Sequence, residues 1–188
     1  MFNTDVKQFW KTSTYDNLEI QSYVIDWQLV NETESYVASD NAGIRTAELL
    51  DVLERTLSNA PLYALSDLIT YVHSGNAAEI GWNDCYDVPR EMRIWSHKSV
   101  LRDLTTPYSI SSAFNLDSCD EIAPIGTIVH EMGHMLGLAD YYDISGVGSG
   151  IGAWGIMGFS YGINNDFSHI PLLMPYNKNI LGYLNYTV

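Results

Sequence analysis

Apolar residues recur at helical spacing in two parts of the chain. Over 43–58, leucines and valines fall three and four positions apart, which predicts an amphipathic helix. A second helix is predicted over 122–137. Pro124 falls near its first turn, where proline is tolerated, and Gly137 stands where it should stop. Weaker patterns predict short helices at 5–14 and within 171–184.

Other segments combine β-branched and aromatic residues, which is typical of strands. Turn-forming residues fill the loop 74–89 and the glycine-dense tract 145–158. The order of elements favours an α+β fold, with a mixed sheet and two main helices, in a single domain over 1–188. Strands are predicted at 18–30 (one strand or a hairpin), 66–73, 92–96 and 107–114, the last at a sheet edge.

Composition narrows the classes of partner. The chain has 188 residues, 46% hydrophobic and 17% charged, which suits an ordered core rather than disorder. Its net charge of −14 argues against nucleic acid and anionic membranes, because both attract cationic surfaces. The excess acid would suit either solubility or calcium binding. Candidate calcium ligands are Asp117, Asp120, Glu121 and Asp143.

Targeting signals are not evident. No stretch approaches the roughly 20 apolar residues of a membrane span. The first residues lack a basic region followed by an apolar run, so a secreted form is expected to be a fragment, a processed form or a protein exported by another route. Cys85 and Cys119 are compatible with one disulfide, but their spacing does not establish it.

The candidate chemistry lies in HEMGHMLGLAD, residues 130–140. Positions i and i+4 share one face of a helix, so His130 and His134 should direct their imidazoles to one point. Glu131 can then approach a metal-bound water without binding the metal itself. Gly137 allows a sharp turn that could bring Asp140 beneath the histidines as a third ligand. A fourth position left for water would mark a catalytic zinc site.

The alternative interpretation is that the same residues are core side chains that hydrogen-bond internally. Apolar neighbours predict that this helix is buried, however, and burying two histidines and a glutamate without partners would be costly. A metal site is therefore the favoured interpretation.

HEMGHMLGLAD fits the pattern HExxHxxGxxD, and GLADYYD (137–143) extends it. The sequence thereby resembles the M6, or immune inhibitor A, peptidase family, which is metzincin-like. Further similar segments are SYVIDWQL (22–29), LITYVHSG (68–75), IWSHKSVL (94–101) and AWGIMGFS (153–160). The resemblance extends over about residues 5–185.

This resemblance implies a metzincin-like zinc peptidase domain, with a twisted mixed sheet, a zinc-binding active-site helix and a Met-turn. It implies that Glu131 is the general base and acid and that Met157 lies under the metal. Tyr161 would be a candidate transition-state stabiliser, although metzincins usually place such a tyrosine closer to the Met-turn. WGIM here replaces the family's usual WSLM.

The predicted function is zinc-dependent endopeptidase activity on protein or peptide substrates, with Zn²⁺ as cofactor and secretion as the expected localisation. Three alternatives remain open: an inactive zinc module that binds protein or glycan, a zinc hydrolase of non-peptide amides, and a structural metal site with four protein ligands. Two alternative roles for His169 are replacing Asp140 as a ligand and assisting the transition state. Structural roles are favoured for His73 and His97. Cleavage preference, latency, physiological substrate and oligomeric state are not readable from the sequence.

Overall fold

The computed structural model of the chain divides into two compact units. The first unit comprises Met1–Ser22 with Pro124–Val188, and the second comprises Tyr23–Ala123. The prediction of a single domain stays a prediction. The structure describes residues 2–38, 43–58, 60, 66–79, 88–115, 118–145, 147–159 and 170–185, without the side chains of 2–4, 115 and 118–121.

Helices and strands are both present among the described residues, so the α+β prediction is confirmed at this level. None of the described helices combines the length and apolar character that a membrane span requires. The helices are α1 (Phe2–Ser13), α2 (Glu34–Val37), α3 (Ala47–Ser58), α4 (Gly126–Met135) and α5 (Pro175–Ile180). The strands are β1 (Ile69–His73), β2 (His97–Val100), β3 (Pro107–Ser112), β4 (Phe114–Asn115) and β5 (Ser118–Ile122).

The second unit contains a mixed three-stranded sheet in the order β1-β3-β2. Strand β3 runs parallel to β1 and antiparallel to β2, so it lies in the middle of the sheet. The prediction that 107–114 forms an edge strand is therefore wrong. Pro107 is compatible with the central position because it is the first residue of β3, where proline is tolerated.

Helix α3 packs its apolar face on this sheet. It starts four residues later than the sequence pattern predicts, because Thr46 caps it: the Thr46 hydroxyl accepts a hydrogen bond from the Leu49 amide at 3.1 Å. Buried leucines and a valine of α3 share one core cluster with Tyr108 and Ile110 of β3. The hydrophobic effect on this face holds the helix against the sheet.

The strand predicted over 92–96 is absent. Its place is taken by a 3₁₀ turn at Arg90–Met92 followed by irregular backbone, and β2 begins only at His97. Two side-chain carboxylates engage the backbone amides there. Glu34 accepts from Ile94 and Glu79 accepts from Ser96, each at 3.0 Å. These amides are satisfied without a neighbouring strand.

The strand or hairpin predicted over 18–30 is also wrong. These residues form neither helix nor strand, although the alternating pattern is present. Strand formation needs a partner, and none of the described residues pairs with this segment.

The first unit contains α1, α4 and α5, and α1 contacts α4. Trp10 of α1 is fully buried. The short helices predicted near the N-terminus and in the tail are confirmed. Helix α4 begins later than predicted because 118–122 belongs to β5, which pairs with β4 in the second unit.

Candidate metal centre

Helix α4 carries the two histidines of the motif. Its residues Ile128, Val129 and Met132 are buried and fix the rotation of the helix in the first unit. His130 and His134 are one turn apart on it, and their rings meet edge to face with centroids 4.7 Å apart. The predicted convergence of the imidazoles is therefore present.

The chain turns back at Gly137, as predicted. Its φ of +93° is a conformation that residues with a side chain rarely adopt. The Gly137 amide donates to the carbonyl of His134, and the Leu138 amide donates to that of Gly133, each at 3.0 Å. These two bonds form a Schellman cap, which reverses the chain two residues before Asp140.

The reversal places Asp140 against both histidines. Asp140 Oδ1 lies 3.1 Å from Nε2 of His130 and 3.1 Å from Nε2 of His134, and the two Nε2 atoms are 3.1 Å apart. Two ligands bound to one tetrahedral zinc ion lie roughly 3.4 Å apart, so the spacing of these atoms fits a single ion. Within the described part of the chain, these three residues form the one group arranged to hold a metal.

The other nitrogen of each ring determines what Nε2 can do. His130 Nδ1 lies 2.8 Å from the carbonyl oxygen of Ile156, and His134 Nδ1 lies 2.8 Å from that of Leu138. A carbonyl oxygen only accepts, so each Nδ1 is the donor and carries the hydrogen. In the neutral rings Nε2 then presents its lone pair, which is the form that binds a metal.

Three electron-pair donors therefore face one another at short distance. Without a cation between them, two imidazole lone pairs and a carboxylate would repel. A metal ion or bound protons would relieve this repulsion. Two imidazoles with one carboxylate suit zinc well, and the residues present fit this cofactor.

The pKa values of Asp140 and His134 also indicate that this centre favours positive charge. Burial alone would raise the pKa of Asp140. When His130 and His134 carry a second proton, on Nε2, their hydrogen bonds to Asp140 outweigh burial and hold that pKa well below its ordinary value. Burial alone would lower the pKa of His134. The bonds to Asp140 and to the Leu138 carbonyl, with the nearby charge of Glu131, raise it instead.

Met157 packs directly against helix α4, which carries His130 and His134. It is fully buried, and a Cβ on Gly133 would lie 2.5 Å from its Sδ, so glycine at 133 makes room for the methionine. The Gly158 amide donates to the Gly155 carbonyl at 2.9 Å, which closes a β-turn with Ile156 and Met157 at its centre. One turn thus supplies both the methionine and the carbonyl that orients His130.

Two aromatic residues near the centre were not singled out for it by the sequence. Tyr142 stacks on the His130 ring with centroids 6.1 Å apart, and Phe159 stacks on Tyr142 at 6.4 Å. Asp143, considered above as a calcium ligand, instead accepts hydrogen bonds from the amides of Ser145 and Gly148. The YYD extension of the motif was the available signal, but it did not reveal these contacts.

Glu131 is buried on α4, next to His130 in sequence. Tyr161, His169, Cys85 and Asp117 lie outside the described residues, as do the side chains of Cys119, Asp120 and Glu121. The predictions for these residues, including the disulfide, stay predictions. Calcium binding has no support in the described part of the chain.

The remaining described histidines lie in the second unit. His97 is held between the Trp95 carbonyl, 2.7 Å from Nδ1, and the Tyr108 hydroxyl, 3.0 Å from Nε2. His73 Nδ1 accepts a hydrogen bond from the Gly75 amide at 3.2 Å. Internal bonding of this kind is what a structural histidine makes.

A His-His-Asp group behind a capped helix defines a candidate metallopeptidase centre. Residues 64–168, more than half of the chain, match the family described as immune inhibitor A peptidase M6, catalytic domain. The chain belongs to the M6 peptidase family, as the resemblance indicated. No curated protein matches the chain, and no solved structure matches it.

Proposed function

We propose that the protein is a zinc-dependent endopeptidase with its active centre at His130, His134 and Asp140. The observation that carries this proposal is the meeting of three lone-pair donors, each within 3.1 Å of the others, on a chain of the M6 family. Zinc bound there would lower the pKa of a water molecule toward 7 and polarise the scissile carbonyl.

Glu131 is the proposed general base. It follows His130 on the same helix, and its charge is close enough to His134 to raise the pKa of that ring. A carboxylate in this place can accept a proton from the attacking water and deliver it to the leaving amine. Peptide hydrolysis needs both transfers, because the amine leaves only when protonated.

Met157 is proposed to be the methionine of a metzincin-like Met-turn. Its support is the β-turn that presses Sδ toward Gly133 while Ile156 orients His130. An adaptable thioether can fill the space beneath a metal site without competing for the ion. Tyr161 remains a proposed transition-state stabiliser, and secretion remains the proposed localisation.

The experiment is Glu131→Gln, assayed with a quenched fluorescent peptide and with metal content measured by elemental analysis. We expect the variant to retain zinc and to lose roughly 10²- to 10⁴-fold in kcat/KM. Glu91→Gln removes an exposed carboxylate from the second unit and should behave like the wild type.

Two results would contradict the assignment. Full activity in Glu131→Gln would exclude the glutamate as base. A zinc-loaded wild type that cleaves no peptide or casein would exclude a peptidase and favour the inactive binding module.

A further inference from the structure

An aromatic row runs from the candidate metal centre to the surface of the first unit. It consists of the rings of His130, Tyr142 and Phe159, which stack in this order with interplanar angles of 21° and 8°. Exposure rises along the row, because His130 is 5% exposed, Tyr142 is half-buried and Phe159 is 44% exposed. The row therefore joins a buried candidate metal ligand to an apolar ring that solvent can reach.

The main chain around this aromatic row is held closely in place. The Phe159 amide donates to the Gly152 carbonyl at 2.8 Å, and the Tyr141 amide donates to the Met157 carbonyl at 2.8 Å. A Cβ on Gly158 would lie 2.2 Å from the Gly152 carbonyl oxygen, so glycine at 158 permits this close approach. The Phe159 ring is thus positioned before any ligand arrives, which lowers the entropy cost of binding.

The position of Phe159 indicates what would cover it. An isolated exposed phenylalanine is ordinary on a protein surface, but this ring continues a stack that begins on a candidate metal ligand. A peptide placed for cleavage has its scissile bond at the metal, and each residue of extended chain advances by roughly 3.4 Å. A side chain within a few residues of that bond can therefore lie against the row.

The chemistry of the row selects the kind of side chain. The Phe159 ring offers neither a hydrogen-bond donor nor a conventional acceptor, so a charged side chain would lose hydration there without gaining a partner. An aromatic side chain buries apolar area on the ring and gains the additional attraction of an aromatic pair. An aromatic residue is thus the occupant that suits this surface best.

We propose that Phe159 and Tyr142 form a subsite for an aromatic side chain of the peptide substrate, at one fixed distance from the cleaved bond. This proposal rests on the proposed function, because the peptide must be bound at the metal centre. Phe159 is then a specificity-determining residue, which contacts the substrate and takes no part in the proton transfers.

The test uses peptide hydroxamates, whose hydroxamate group binds zinc. The parent compound is trialanine hydroxamate, and three derivatives carry phenylalanine at the first, second or third position from the hydroxamate. A second series carries the hydroxamate at the amino end, through a malonyl group, so that both sides of the cleaved bond are sampled. Calorimetric titration of the zinc-saturated protein measures each affinity, and mass spectrometry verifies that the compounds stay intact.

We expect one phenylalanine derivative to bind about tenfold more tightly than its alanine parent, because its phenyl ring is buried on the row. Phe159→Ala should remove this gain and leave the affinity of the parent unchanged. Phe159→Leu, which keeps apolar bulk without a ring, should lose most of the gain and replaces the alanine variant if that variant does not fold. Phe159→Tyr keeps the ring and should retain the gain.

A matched control comes from the second unit. Met92 is 46% exposed, close to the exposure of Phe159, and Met92→Ala should change neither the affinity of the parent nor the gain. Circular dichroism and elemental analysis verify that each variant is folded and loaded with zinc.

Three outcomes would overturn the proposal, and they are distinguishable. Binding of both alanine parents without a gain from any phenylalanine would remove the subsite and leave the proposed zinc centre standing. A gain that persists in both Phe159→Ala and Phe159→Leu would place the aromatic contact elsewhere. Failure of both parents to bind would refute the proposed zinc centre, and the subsite with it.

Discussion

Two pairs of histidines in this chain differ in what their ring nitrogens bind. In the first unit, His130 and His134 donate through Nδ1 to backbone carbonyls, and both Nε2 lone pairs converge with Asp140. In the second unit, the ring lone pairs of His73 and His97 accept hydrogen bonds from other groups of the protein. Nδ1 of His73 accepts from an amide, and Nε2 of His97 accepts from the Tyr108 hydroxyl.

In these histidines, the hydrogen-bond partner of one ring nitrogen determines whether the other nitrogen carries a hydrogen or a lone pair. Both pairs are largely buried, so burial does not distinguish the candidate metal ligands from the other two histidines. Glu34 lies 3.6 Å from His73, so a nearby carboxylate does not distinguish them either. His130 and His134 differ from the other pair because each donates a hydrogen bond through Nδ1. That bond leaves the lone pair of Nε2 facing other electron-pair donors.

The largest expected effect is on zinc content, when one histidine of each pair is replaced by asparagine. His134→Asn should reduce bound zinc from about one ion per chain to almost none, because two remaining ligands hold zinc poorly. His97→Asn should leave zinc content unchanged. Elemental analysis after dialysis measures both, and circular dichroism verifies that each variant is folded.

The opposite result would contradict the proposed difference between the two pairs of histidines. If His97→Asn lost zinc while His134→Asn kept it, the metal would lie in the second unit and the convergence at Asp140 would have another purpose.

The next effect is on stability at acid pH. Burial and the neighbouring His97 lower the pKa of His73 to about 4, whereas that of His134 is raised in the metal-free protein. A lowered folded-state pKa means that the unfolded chain binds the proton first as pH falls. The contribution of His73 to stability is therefore complete above its ordinary pKa of 6.5 and is lost toward pH 4.

The loss should be about 3 kcal/mol in the free energy of unfolding between pH 7 and pH 4. Urea unfolding of chelator-treated protein at both pH values measures it. His73→Asn retains an acceptor for the Gly75 amide but does not titrate, so its loss over the same range should be smaller by that amount. An equal loss in both proteins would show that His73 is already solvated or paired when folded.

The candidate metal centre could be predicted from the sequence more completely than the sheet could, because its residues lie close together along the chain. A spacing of four residues on a helix brings His130 and His134 together, and a bend at Gly137 brings back Asp140, six residues after His134. Local geometry thus places all three candidate ligands. The carbonyl that orients His130 comes from Ile156, 26 residues away, and no local pattern reveals it.

The wrong predictions for the sheet have the same origin, because strands form through contacts between residues far apart in the sequence. Strand order depends on which distant segments pair, so the pattern of 107–114 could not show that β3 lies between β1 and β2. Where a strand was predicted at 92–96, the Ile94 amide bonds to Glu34, which lies 60 residues away in the sequence. Alternating apolar residues at 18–30 indicate capacity to pair, and they do not indicate that a partner is present.

The smallest expected effect concerns the ring stacked on His130. Tyr142 holds one face of that imidazole, and an aromatic pair of this kind contributes about 0.5–1.5 kcal/mol. Tyr142→Leu should therefore weaken zinc binding by roughly two- to tenfold, because His130 gains freedom that metal binding must remove. Competition with a chromophoric chelator measures the affinity. Tyr142→Phe keeps the ring and should match the wild type. A loss in Tyr142→Phe equal to that in Tyr142→Leu would assign the effect to the hydroxyl group, and wild-type affinity in both would show that carbonyl bonding alone orients His130.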